Sequence, residues 1–119
     1  MNLRDRTWFL SGPMTGLPEF NKPAFHAAAA ALRARGCRVV NPAEFPERPG
    51  WTSEEYIRRA LALESWCNGL CLLPGHETSR GSEAETDQAR WLDHEIMELA
   101  SLTAALDAED AADAQASET

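Results

Sequence analysis

The sequence predicts a single α/β domain built around a small parallel sheet, and three observations support this prediction. Short apolar or β-branched runs alternate with helical patterns in the order β-α-β-α-β-α-β. Residues 70–73 form a continuous apolar run, which is typical of a strand buried on both faces. At 119 residues the chain can build one core but is short for an α/β unit. We therefore expect a small three-layer sandwich, with helices on both faces of a four- to five-stranded parallel sheet.

The first half of the chain predicts two strands joined by a helix. A strand at residues 7–10 ends in a long Gly- and Pro-rich loop, and long loops in compact domains tend to be functional. A helix is predicted over residues 23–35 because apolar side chains recur there at helical spacing, at Phe25, Ala28, Ala29 and Leu32. Gly36 is a natural stop for this helix, and the second strand follows at residues 37–40.

The second half repeats this alternation. Thr52 or Ser53 caps a helix that runs to about Trp66, with acidic residues in its first turn. The buried strand at residues 70–73 and a polar loop come next. The remaining elements are predicted as a helix at residues 82–92 and a last strand at residues 95–99.

The net charge of −8 is concentrated at the C-terminal end. All eleven Lys and Arg residues lie at or before Arg90, whereas residues 93–118 carry eight acidic residues and no Lys or Arg. We expect residues 1–106 to form the domain and residues 107–119 to be a disordered acidic tail, since that composition buries little apolar surface. Such a tail is most often a solvated tether, and a structural interaction protein built around it is one hypothesis for function.

Composition excludes several classes of protein. An acidic chain without clustered Lys and Arg is not expected to bind a nucleic-acid backbone. No apolar run is long enough to span a membrane, and the N-terminus lacks a secretory segment. Three cysteines without paired spacing predict buried thiols in the cytoplasm, at Cys37, Cys67 and Cys71. No metal or redox cofactor is expected, because neither a ligand cluster nor a full G-x-G-x-x-G is present.

The candidate site lies after the buried third strand. Open α/β sheets bind ligands at the carboxyl ends of their strands, and the polar loop at residues 74–81 starts there. Ser79, Arg80 and Gly81 offer a hydroxyl, a guanidinium and backbone N–H groups, which suit a sugar or a phosphate. Glu83 and Glu85 follow at the start of a helix. On the alternative interpretation Ser82 caps that helix and the glutamates only complement its dipole.

Five short segments, in order, carry a resemblance to a known family. They are FLSGPMTG at residues 9–16, FN at 20–21, VNP at 40–42, LLPG at 72–75 and SRG at 79–81. Together they resemble the DUF4406 family of small bacterial and phage proteins, which is grouped with the nucleoside 2-deoxyribosyltransferase-like fold. The resemblance covers roughly residues 7–99 and implies a flavodoxin- or Rossmann-like sheet, a nucleoside or nucleotide as small-molecule ligand, and a homo-oligomer.

The resemblance also implies a chemistry. The related transferases cleave the N-glycosidic bond of a 2-deoxynucleoside through a glutamate that attacks the anomeric carbon. Glu85 matches that nucleophile, with Glu83 as the alternative. The implied substrate-binding residues are Ser11, Gly12, Pro13, Met14, Gly75, His76, Ser79, Arg80 and Gly81.

Three positions depart from the family's pattern. Ala60 and Asn68 stand where the family usually carries an Asp, and His76 stands where it often carries a Trp. His76 or Glu77 is then an alternative source of the proton that the leaving base requires. The departures keep open a second hypothesis, a catalytically inactive nucleotide-binding or phage accessory protein of the same fold.

Overall fold

A computed structural model describes residues 2–118 and contains a four-stranded parallel sheet. The strands are β1 (Thr7–Ser11), β2 (Arg38–Val40), β3 (Gly69–Leu72) and β4 (Glu95–Glu98). Their order in the sheet is β2-β1-β3-β4, and all three neighbouring pairs are parallel. The α/β fold class and the parallel sheet predicted from the sequence are confirmed.

Four helices cover the two faces of this sheet. They are α1 (Lys22–Ala34), α2 (Ser53–Glu64), α3 (Arg80–Trp91) and α4 (Leu99–Glu118), and short 3-10 turns lie in the connections. One apolar cluster packs residues of α1 and α4 against the sheet, including Phe25 and Leu102. The other cluster packs residues of α2 and α3 on the opposite face, including Leu63 and Ala89. The result is the expected three-layer sandwich.

The helix starts follow from local capping. Thr52 and Glu55 form a reciprocal capping box at the start of α2, as their spacing predicts. Helix α3 begins at Arg80 rather than at the expected Ser82, because the Ser79 hydroxyl accepts a hydrogen bond from the Ser82 backbone N–H at 3.2 Å. Ser82 therefore does not cap α3, and its side chain is buried inside the molecule.

The C-terminal segment differs from the expected disordered tail. Helix α4 continues through it to Glu118, and Thr119 lies outside the described residues. Alanine is frequent in this segment and has the highest helix propensity. Two arginines also hold the helix to the domain, since Arg35 pairs with Asp107 and Arg4 pairs with Asp110, each at 2.8 Å. Acidic composition favoured disorder, whereas alanine content and these ion pairs favour the helix.

None of the described helices has the length and apolar character that crossing a bilayer requires. All three cysteines are free thiols in the interior, as predicted. Burial raises the pKa of Cys71, on β3, to about 12, so this thiol stays protonated.

Candidate functional site

A cleft opens where the chain leaves β1 and β3 in opposite directions. The loop after β1 leads to α1 on one face of the sheet, and the loop after β3 leads to α3 on the other face. Because these two strands are neighbours, their carboxyl ends part at a topological switch point. A cavity of about 790 Å³ lies there, which is within the range of small-molecule sites. Most of the residues predicted to form the site line it, namely Gly12, Pro13, Met14, Ser79, Arg80, Gly81 and Glu85.

The carboxylate of Glu85 lies at the inner end of this cavity. It reaches Ser11 at the end of β1, whose Oγ donates to Glu85 Oε1 at 2.6 Å. Ser11 Oγ also lies 2.9 Å from the hydroxyl of Ser82, and all three side chains are buried. Burial raises the pKa of Glu85 to about 7, although the hydrogen bond from Ser11 acts in the opposite direction. A carboxylate with that pKa is a stronger base than an exposed glutamate and is little solvated. It also lines the cavity.

Glu64 is a second buried carboxyl group, and the sequence analysis did not identify it as functional. Its side chain is fully inaccessible, and neither carboxylate oxygen has a hydrogen-bond partner among the described residues. Burial, and then the negative charge of Glu85, raise the pKa of Glu64 to about 8, although the nearby Gln88 side chain acts in the opposite direction. Glu64 falls beside the apolar positions of the α2 sequence pattern, and this placement is the sequence feature that could have predicted its burial.

The cavity mouth carries Arg59 and three aromatic side chains that the sequence analysis did not assign to a site, together with the predicted Arg80. The guanidinium of Arg59 lies over the rings of Trp51, Tyr56 and Phe45, at 5.2, 5.3 and 5.9 Å from their centroids. Arg80 lies at the other side of the mouth, is exposed, and pairs with no other side chain of residues 2–118. The mouth therefore presents stacking surfaces together with positive charge.

The long loop after β1 adds another apolar wall. Glu19, Phe20 and Asn21 all adopt left-handed backbone conformations, with φ of 53°, 53° and 58°. The Asn21 side chain holds this loop by donating to the backbone oxygen of Pro13 at 2.9 Å. The ring of Phe20 lines the cavity while remaining half exposed. Strain of this kind costs free energy and tends to persist at functional loops.

Gly12 lines the cavity for a packing reason. A Cβ built there would lie 2.9 Å from the Leu73 Cβ and 3.5 Å from the ring of Phe25. Only glycine therefore lets the end of β1 approach its neighbours this closely.

Two predicted site residues, Gly75 and His76, lie away from Glu85. They line a separate groove between α1 and α4, of about 780 Å³. There His76 Nε2 lies 3.3 Å from Glu77 and 3.5 Å from Glu98. Among the described residues this is the one group of three side chains with ligand atoms close enough to share a metal ion, and both glutamates are exposed. Exposed acidic groups of this kind are common without a metal, so the cluster by itself assigns no site.

The two positions at which the family usually carries an Asp lie in different places. Ala60 lines the cavity. Asn68 lies at the amino ends of β1 and β3, opposite the cavity, where its Oδ1 accepts from the Thr7 backbone N–H at 2.7 Å. A carboxylate at position 68 would therefore not reach the cavity, and only the change at position 60 bears on its chemistry.

Comparison with protein families gives one match. The model of a family described as a domain of unknown function (DUF4406) matches residues 6–98, which include all the strands and the cavity residues. No curated protein matches the chain.

Proposed function

The chain belongs to the DUF4406 family, and we propose that it cleaves the N-glycosidic bond of a nucleoside or nucleotide, as a hydrolase or a deoxyribosyl transferase, with Glu85 as nucleophile. The observation that carries the proposal is the buried, basic carboxylate of Glu85 at the inner end of a cavity of nucleoside size. The hydrogen bond from Ser11 supports it, because that bond fixes one carboxylate oxygen and leaves the other for attack.

The reaction divides into two displacements. An oxygen of the Glu85 carboxylate attacks the anomeric carbon, and the bond from that carbon to the base nitrogen breaks. The base leaves with the bonding electron pair and takes up a proton. Water or a second base then attacks the same carbon and loses a proton, and the ester bond breaks. Water gives the free sugar, a second base gives a new nucleoside, and either restores the Glu85 carboxylate. The ester form of Glu85 is neutral, so its formation removes a charge that burial disfavours.

The walls of the cavity suit the parts of such a substrate. Met14 and the ring of Phe20 offer apolar surfaces to a flat base. Arg80 and the N-terminal turn of α3 at Gly81 offer positive charge and backbone donors to a sugar hydroxyl or a phosphate.

The test is release of free base from a panel of deoxynucleosides and deoxynucleotides, followed by chromatography. We expect Glu85→Gln to abolish release while the fold is retained. Glu83→Gln is the matched control, because Glu83 is an exposed carboxylate in the same helix. Unchanged turnover in Glu85→Gln would remove Glu85 from the mechanism, and loss of turnover in Glu83→Gln alone would favour the alternative nucleophile.

A second function is favoured by Ala60, which lines the cavity where the family usually places an acid. Without that acid the protein would be a nucleotide-binding protein or a phage accessory protein. A ligand-induced rise in the melting temperature without any base release would identify this function.

We also propose a homo-oligomer in the cytoplasm. Trp66 and Trp91, at the ends of α2 and α3, are 88% and 89% exposed, which is unusual for the largest apolar side chain. Light scattering after size exclusion tests the assembly. A monomer at high protein concentration would contradict it.

A further inference from the structure

Two carboxyl groups in the described part of the chain are buried, Glu85 in the cavity wall and Glu64 in the interior, and their hydrogen bonding is unequal. Glu85 accepts a hydrogen bond from the Ser11 hydroxyl at 2.6 Å. Glu64 accepts no hydrogen bond of normal geometry among the described residues, although its side chain is completely buried, and the nearby Gln88 amide offsets the effect of burial only in part. An ionised carboxylate that is buried without donors is far more costly than one that accepts a short hydrogen bond. If only one of the two groups is charged, the charge belongs on Glu85.

The geometry of α2 explains why Glu64 faces Glu85. A helical side chain points back toward the N-terminus, so Glu64 covers the surface one turn earlier, at Ala60. The small side chain of Ala60 leaves space there and lines the cavity. Helix α3 packs against this part of α2 through Gln88, whose amide donates to the Leu61 backbone oxygen at 2.8 Å. Glu64 is therefore enclosed between the two helices, within electrostatic reach of Glu85.

The groups around the pair leave its charge uncompensated. Gln88 faces it from α3 and Ser11 faces it from β1, and both are neutral. Cys67, after α2, is also neutral, because burial raises the pKa of its thiol to about 11. Arg59 and Arg80 line the cavity, but neither forms an ion pair with Glu64 or Glu85 among the described residues. Because no cation of residues 2–118 pairs with either carboxylate, a second buried negative charge would strongly destabilise the folded state.

We propose that Glu64 and Glu85 form a coupled pair that carries a single negative charge near pH 7.5, mainly on Glu85, while Glu64 keeps its proton. Glu64 is then a positioning residue that acts through Glu85, and its bearing on catalysis rests on the proposed function. By staying neutral it allows Glu85 to ionise in a buried site, which two adjacent anions would prevent.

The pair predicts how stability depends on pH. Both carboxyl groups have pKa values above the usual 4.5, at about 8 for Glu64 and about 7 for Glu85. Their contribution to stability is therefore complete below pH 4.5 and is lost as pH rises toward 8. In that window unfolding releases the protons that the folded protein retains. The slope of the unfolding free energy against pH counts those protons directly.

The experiment is urea unfolding between pH 5 and pH 9 for the full chain and for Glu64→Gln, Glu85→Gln and the double variant. In Glu64→Gln we expect unfolding near pH 7.5 to release roughly one proton fewer than in the wild type. In Glu85→Gln the proton held by Glu64 should be lost at lower pH, because the neighbouring charge is gone. The single effects should therefore not add in the double variant. Glu83→Gln is the matched control and should parallel the wild type.

Two results would overturn the proposal that Glu64 and Glu85 are coupled. One is a Glu64→Gln curve parallel to that of the wild type, which would mean that Glu64 is ionised in the folded protein. The other is a Glu64 titration that does not move in Glu85→Gln. If a variant fails to fold, carboxyl ¹³C resonances of the intact protein provide the same test, since two glutamates should titrate above pH 6 in the wild type.

Base release separates this inference from the proposed function. Glu64→Gln keeps a neutral group at position 64, so release at pH 7.5 should stay within about tenfold of the wild type. A complete loss would make Glu64 a proton donor and overturn its positioning role. If both glutamates titrate as expected but no substrate releases its base, the inference about the pair is supported and the proposed function is refuted.

Discussion

At the scale of single residues, the Ser11 hydroxyl influences where Glu85 titrates. Burial has the larger effect and raises the pKa of Glu85 to about 7, and the hydrogen bond from Ser11 limits that rise. Because attack requires ionised Glu85, activity should be lost as pH falls through that pKa.

We expect Ser11→Ala to raise the pKa of Glu85, which moves the acidic limb of the base-release profile upward by about one pH unit. The loss of rate should therefore be large at pH 6.5 and small at pH 9. Initial rates across that range test this prediction. Ser65→Ala removes an exposed hydroxyl that follows α2 and does not line the cavity, and it serves as the control. A uniform loss at every pH would mean that Ser11 contacts the substrate instead.

Gly12 carries the second prediction at this scale. Because its added Cβ would lie 2.9 Å from the Leu73 Cβ, Gly12→Ala should lower the free energy of unfolding by about 1–3 kcal/mol. Gly81→Ala is the control for stability, since its Cβ would meet only the Ser79 Oγ at 3.8 Å. At that helical position alanine should be neutral or slightly stabilising. Urea unfolding measures both, and equal effects would refute the packing argument.

At the scale of elements, α4 has two parts with different contacts. Leu102 and Leu106 are fully buried in the core, and Arg35 holds Asp107. Residues 111–117 are exposed along their whole length. Packing fixes the first part, whereas the second part forms by propagation from it and by alanine propensity.

We therefore predict that removal of residues 111–119 lowers the helical circular dichroism signal without changing the unfolding midpoint. Leu106→Ala in the intact chain should instead cost about 2–5 kcal/mol, because it leaves a cavity in the core. Thermal and urea unfolding with far-ultraviolet detection distinguish the two effects. If the truncation leaves the helical signal unchanged, the segment is disordered in solution, as its acidity alone indicates.

The sequence determines the sheet and the cavity better than it determines the buried charges. Strand and helix spacing is local. The SGP segment falls at the end of β1 and the SRG segment at the start of α3, so the positions of Ser11 and Arg80 follow from chain order. His76 lies in the same loop as Arg80, yet it turns toward β4 and pairs with Glu98. Glu64 lies at the edge of the apolar side of the α2 pattern, where the sequence alone favours exposure. In the folded protein its side chain is completely buried. Which side chains meet across elements depends on packing that periodicity does not describe.

At the scale of the whole molecule, the cavity joins two halves of the fold. One wall is the loop between β1 and α1. The other is formed by the start of α3 and by the aromatic side chains in and before α2. The groove that contains His76 lies instead between α1 and α4. A ligand in the cavity would therefore restrain elements on both faces of the sheet.

The last prediction uses this geometry to locate the ligand. In Glu85→Gln, a nucleotide at about one hundred times its dissociation constant should stabilise the folded state by about 2.7 kcal/mol, seen as a higher melting temperature. Hydrogen exchange should slow at residues 11–21 and at residues 78–85 together, because the cavity includes both segments. The groove between α1 and α4 provides the internal control, so exchange at Thr103, which lines that groove, should not change. Protection confined to α4 and the His76 turn would place the ligand in that groove and exclude Glu85 from its chemistry.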